Sequence, residues 1–234
     1  MNLSLKALCS ALAAVAMAIT TVISVGPPVL ASGPDGSAGA KSTRTCPGVT
    51  RHVEMAVPPK GFARLIESRV LDDCTIIDSP AKLVPISEAP ASLQAAGAGA
   101  DPSYTAYQAS WDCCGINMNS LGTTVQWQAV YGGVYPYNQY NATTYHTEAP
   151  PSRGWWLDYQ TLQYTGGCTG CSSLTLTGKA GFGYQGVFDP TGTLFYNSYV
   201  NTVTAHGDGS GTCTHTYSWR HSVPGWHPQQ WCSY

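Results

Sequence analysis

Basic residues are almost missing from the last 133 residues of the chain. From Pro102 to Tyr234 there are three, Arg153, Lys179 and Arg220, against five acids, Asp112, Glu148, Asp158, Asp189 and Asp208. Nucleic acid and anionic membrane both require clustered Lys and Arg, so neither is an expected partner. Aromatics are scarce in the other part: of 14 Tyr, 7 Trp and 4 Phe, only Phe62 precedes Tyr104. No helical period of useful length follows residue 103, which argues against a bundle or an α/β fold. A P-loop, a G-x-S-x-G elbow, an H-E-x-x-H pair and an EF-hand loop are all lacking. No cofactor is therefore expected.

What the N-terminus has instead is an apolar run. Lys6 precedes Ala7–Val25, 19 residues without a charge, and Pro27 and Pro28 follow. Val29, Leu30 and Ala31 offer small or apolar residues for a signal peptidase, so residues 1–31 read as a signal peptide cleaved after Ala31. The alternative is an uncleaved anchor, since the run is long enough to span a bilayer. Cleavage implies a secreted protein, with no membrane insertion afterwards. It also removes Cys9 and leaves eight cysteines, Cys46, Cys74, Cys113, Cys114, Cys168, Cys171, Cys213 and Cys232. An even number in an exported chain points to disulfides. Cys46 with Cys74 and Cys213 with Cys232 are the natural pairs. Cys113, Cys114, Cys168 and Cys171 then pair among themselves, with Cys168 and Cys171 either bridging each other or crossing to the 113–114 pair. Four thiolates could also ligate zinc, but adjacent cysteines seldom aim both sulfurs at one ion, so no metal is expected.

Composition divides the remainder. Residues 32–45 are rich in Gly, Ser and Ala and read as a disordered leader. Residues 46–88 carry short apolar patches and read as a small disulfide-linked accessory unit of two or three strands, with a short helix at Ala63–Leu71 as an option. Residues 89–103 read as a linker. Residues 104–234 read as an aromatic-rich β domain. Its clearest strand is Thr212–Ser222, where Cys213, His215, Tyr217, Trp219 and His221 alternate with Thr, Ser and Arg. Short strands, Gly- and Pro-containing turns and disulfides imply an all-β fold, an antiparallel sandwich or barrel.

Residues 132–154 stand out as a long connection without clear strand pattern. They carry Tyr135, Tyr137, Tyr140 and Tyr145 with Asn138, Asn141 and His146, and Trp155 follows. Tyr and Trp present a flat apolar face to a sugar ring and a polar edge to its hydroxyls; Asn adds paired donors and acceptors. The expectation is a secreted non-catalytic protein that binds a cell-surface or extracellular glycan through Tyr135, Tyr137, Asn138, Tyr140, Asn141 and Trp155. Two other classes remain open. Glu148 and Asp158 flank Trp155 and Trp156 and could form the carboxylate pair of a glycoside hydrolase. The same Tyr/Asn chemistry also suits a protein-binding inhibitor or toxin with a cell-surface protein partner.

Overall fold

The computed structural model describes residues 45–91, 93–94, 102–130, 133–148 and 153–234. The expected signal peptide, the expected leader up to residue 44 and residues 92 and 95–101 of the expected linker lie outside the described residues. The described part is nearly all antiparallel strand: β1 (Val49–Ala56), β2 (Phe62–Val70), β3 (Ile76–Asp78), β4 (Lys82–Pro85), β5 (Ser103–Trp111), β6 (Asn117–Val130), β7 (Gly133–Tyr145), β8 (Thr147–Glu148), β9 (Arg153–Gly166), β10 (Ser173–Gln185), β11 (Tyr196–His206), β12 (Gly211–Trp219) and β13 (His227–Ser233). Among the described residues no helix is long and apolar enough to cross a membrane.

The strands form a sandwich. One sheet runs β1-β12-β11-β10-β9-β8; the other runs β3-β2-β13-β5-β6-β7, with β4 also pairing β2. Residues 46–88 are thus not a unit beside the sandwich. They supply an edge strand to the first sheet and an interior strand to the second, and the described residues form one compact unit. The helix option at Ala63–Leu71 is replaced by β2, whose buried Ala63, Leu65, Ser68 and Val70 line both of its faces.

The expected loop at 132–154 is also corrected: Gly133–Tyr145 is strand β7, paired with β6 from Val130↔Gly133 to Asn119↔Tyr145. It lies at the sheet edge, so neither face is fully covered, and both carry polar residues. The apolar alternation that marks a half-buried strand is therefore missing, while the Tyr and Thr content favours extended backbone. Pro136 is tolerated there because an edge strand need not donate every ladder bond.

Between the sheets the core is split in two. One lobe gathers Leu121, Trp155, Phe182, Tyr184, Phe195, Tyr199, Tyr217, Trp219 and Trp226. The other gathers Tyr104, Ala106, Val125, Trp127, Leu174, Leu176, Val203 and the Cys213–Cys232 bridge. A polar waist runs between them across successive strands: His215 on β12, Asn201 on β11, and Gln108 and Gln230 on the facing β5 and β13, each no more than 1% exposed. Asn201 is its centre. Its Nδ2 donates to the carbonyls of Ala106 and Leu121 in the opposite sheet, both at 2.9 Å. Its Oδ1 accepts from Gln108 Nε2 at 2.8 Å and from His215 Nδ1 at 2.9 Å. That pattern places a proton on His215 Nδ1.

Three bridges staple the fold: Cys46–Cys74, Cys168–Cys171 and Cys213–Cys232. The expected fourth is not formed, because Cys113 and Cys114 are unbridged with their sulfurs 3.6 Å apart.

Burial holds His215 well below its ordinary value of 6.5, at about 3, with the nearby His52 a smaller contribution. Between those values the unfolded chain takes up a proton that the folded chain refuses. Its stability contribution is full above pH about 6.5 and falls as pH drops toward 3, by roughly 1.4 kcal/mol per pH unit. In chemical denaturation at pH 7, 6 and 5, the stability gap between the wild type and His215→Gln should narrow at about half that slope from pH 7 to 6 and close to the full slope from 6 to 5. A gap that does not change with pH would contradict a buried neutral imidazole.

Candidate functional site

The six residues picked out by composition do not form one site. Trp155 is buried in the larger aromatic lobe, its ring 5.3 Å from that of Tyr184 and 6.2 Å from that of Trp226. Asn141 clasps the two sheet edges together: it accepts from Thr123 Oγ1 at 2.9 Å and donates to the Thr161 carbonyl at 2.7 Å. The Tyr135 hydroxyl meets Thr169 Oγ1 in the Cys168–Cys171 turn. Tyr137 and Tyr140 are exposed. Tyr140 and Asn138, in register with Thr124 and Gln126, share the outer face of the seven-stranded sheet, where Asn138 Nδ2 donates to Gln126 Oε1 at 2.9 Å. Trp155 and Asn141 are therefore structural, and Asn138 and Tyr140 remain together on one face, with Tyr137 exposed at the neighbouring bulge.

Nor are the two flanking carboxylates paired. Glu148 lies opposite Arg153 on β9, five residues from Asp158, roughly 15 Å along an extended strand. Glu148 accepts from the core-facing Tyr184 hydroxyl at 2.9 Å, whereas Asp158 accepts from the Tyr196 hydroxyl on the outer face at 2.7 Å. Glycosidase carboxyls sit about 5–9.5 Å apart around one bond, so the hydrolase alternative loses its geometry. Burial, and then these two hydrogen bonds, raise the Tyr184 and Tyr196 phenols above their ordinary range. Both tyrosines stay protonated donors.

The residues that do converge lie on the outer face of the six-stranded sheet. Trp156 pairs across β10 with Gly183 and Tyr159 with Gly181, and on the far side Gly183 pairs with Tyr196. The glycines leave room for the rings. A β-carbon on Gly183 would collide with the Trp156 six-membered ring, and one on Gly181 with the Tyr159 ring and the Tyr196 hydroxyl. Rings that cover cross-strand glycines also shield the backbone beneath. Trp156 and Tyr159 nevertheless stay 39% and 40% exposed. A bulge between Gly181 and Phe182 leaves Asp158 unpaired beside them. Arg220 places its guanidinium 5.3 Å from the Tyr196 ring centre and donates to the Thr193 carbonyl at 2.8 Å.

Along the same face the sheet becomes a lattice of hydroxyls. Thr175 meets Thr204 at 3.2 Å, Thr177 meets Thr202 at 3.3 Å and Thr50 donates to Ser218 at 2.9 Å. Rows of this kind repeat at about 4.8 Å across strands and about 6.7 Å along them.

The sequence held two signals for this face. Adjacent Trp155 and Trp156 must point to opposite faces if they lie on a strand. Gly181, Gly183 and Gly186 have G-x-G-x-x-G spacing, but they run along and just past a strand, not at a strand-to-helix turn, and so make no phosphate cradle. A cavity of about 530 Å³ lies elsewhere, lined by Val134, Cys171, His206 and Asp208 among others, with no Tyr, Trp or Phe among its described lining residues. Among the described residues no group of three or more His, Cys, Asp or Glu is placed to hold a metal ion. Compared with known proteins, the chain matches no family, no curated protein and no solved structure.

The two neighbouring tryptophans should separate cleanly. Trp155→Ala removes a core ring and should destabilise by about 3–5 kcal/mol. Trp156→Ala, at an exposed ring, should cost less than about 1 kcal/mol. Guanidinium unfolding of both variants decides the point; equal losses would mean that Trp156 is as structural as Trp155.

Proposed function

We propose that this is an exported, non-catalytic binding protein whose ligand is a neutral glycan, held on the outer face of the six-stranded sheet. One observation carries the reading: Trp156 and Tyr159, with Tyr196 beside them, remain exposed on a glycine platform that continues into a Thr/Ser face. Aromatic rings stack on the C–H faces of sugars, and Asp158 and the threonine hydroxyls suit the hydroxyl edges. The scarcity of Lys and Arg fits an uncharged partner. Three disulfides suit an oxidising compartment, as the apolar N-terminal run also implies.

An open face with a few stacking contacts gives weak monovalent binding, on the order of micromolar to millimolar. A glycan-array screen with a reducing-end assay tests the reading. Binding without released sugar is expected. Trp156→Ala and Tyr159→Ala should each weaken it at least about tenfold, roughly 1.4 kcal/mol, while Glu148→Gln leaves it unchanged. Loss on Tyr140→Ala alone would move the ligand to the opposite sheet. Released sugar, or a tight protein partner with no glycan bound, would overturn the reading.

A further inference from the structure

Cys113 and Cys114 occupy a tight turn between β5 and β6, and both are exposed. Asp112 organises that turn: its Oδ1 accepts from the backbone N–H groups of Cys114 and Ile116, both at 2.8 Å, and its own N–H donates to the Ile116 carbonyl at 3.0 Å. Gly115 takes a left-handed φ of 81° to close it. On the other side the turn packs against the 223–226 segment, where a β-carbon on Gly225 would come within 2.8 Å of Cys113 Cβ. The two sulfurs are thus held 3.6 Å apart by a fixed frame. No other cysteine is left to take them, since the remaining six described cysteines are bridged.

We propose that Cys113 and Cys114 form a redox modification site, a vicinal dithiol that low-molecular-weight disulfides oxidise to a disulfide ring within the turn. The step balances. One thiolate attacks the small disulfide R–S–S–R, forming a mixed disulfide and releasing the first thiol. The neighbouring thiolate then displaces the second. Two protein thiols and one R–S–S–R become one ring and two R–SH; the protein loses two electrons, and the two thiol protons leave with the released thiols.

Closing the ring needs no loop search, so the second step outruns capture of a second small molecule. The resulting bridge differs from the other three. Adjacent α-carbons lie about 3.8 Å apart across a trans peptide, below the range of about 4.4–6.8 Å that suits a relaxed disulfide. Strained, exposed bridges are the labile ones. The 113–114 ring should therefore open and close reversibly while the three staples stay shut. Closure also turns the 113–114 peptide whose N–H bonds Asp112, so oxidation reshapes the turn.

Differential alkylation with intact-mass analysis tests this on the full exported protein. After equilibration with glutathione disulfide, the wild type should show no alkylation at Cys113 or Cys114, no glutathione adduct, and a mass lower by two hydrogens. Graded reductant should then free both thiols together, before any of Cys46, Cys74, Cys168, Cys171, Cys213 or Cys232. Cys113→Ser, which cannot close the ring, should carry one glutathione on Cys114. Two adducts on the wild type, two thiols still alkylated after equilibration, a link to any other cysteine or chain, or earlier opening of another bridge would each overturn the proposal.

Discussion

The side-chain amide of Asn201 is the contact on which the rest of the sandwich depends. Two sheets packed only through aliphatic and aromatic side chains could slide by one residue pair and still bury apolar surface. Asn201 forbids this, because its two N–H groups must find the Ala106 and Leu121 carbonyls and its oxygen must receive Gln108 and His215. A slip would strand these groups away from water, and each buried unpaired polar group costs about 1–3 kcal/mol. The waist gives up apolar burial in the middle of the core and gains a single inter-sheet register in return.

That register fixes what reaches the surface. With His215 and Asn201 facing inward, every second residue on the same strands faces outward, and the outward set is Thr, Ser, Val200, Tyr196 and His206. On β9 and β10 the same parity buries Trp155, Phe182 and Tyr184 and turns out Trp156, Gly181 and Gly183. The aromatic lobe beneath is dense: Trp226 alone lies edge-on to Trp155 at 6.2 Å and to Trp219 at 5.5 Å. It supports the strands that carry the exposed rings. The Cys213–Cys232 bridge ties β12 to β13 across the sheets in the other lobe, so each end of the waist has its own anchor.

Much of the fold could be read from the chain. Thr212–Ser222 declared a strand with one polar face, and β12 has that alternation to Trp219. Cys46–Cys74 and Cys213–Cys232 were the expected pairs by position along the chain and are present. The edge strand β7 was not legible, because an edge with two wet faces has no apolar period. The part played by residues 46–88 was hidden as well, since β1 and β2 find partners in β12 and β13 more than 140 residues away. For the site, composition could name aromatics and amides as a class but could not assign them to faces. Trp155 and Trp156 look alike in sequence; only the β9–β10 register separates a core ring from a surface ring. Asn141 looked like a ligand donor and is a clasp between edges.

Nuclear magnetic resonance of the isotope-labelled protein, titrated with the neutral glycan ranked first by the array screen, tests the proposed glycan face most directly. Shifts are expected at the Trp156 indole N–H and the backbone amides of Tyr159, Gly181, Gly183 and Tyr196, with the opposite sheet undisturbed. Shifts confined to Tyr137, Asn138 and Tyr140, or to the cavity beside His206 and Asp208, would contradict it.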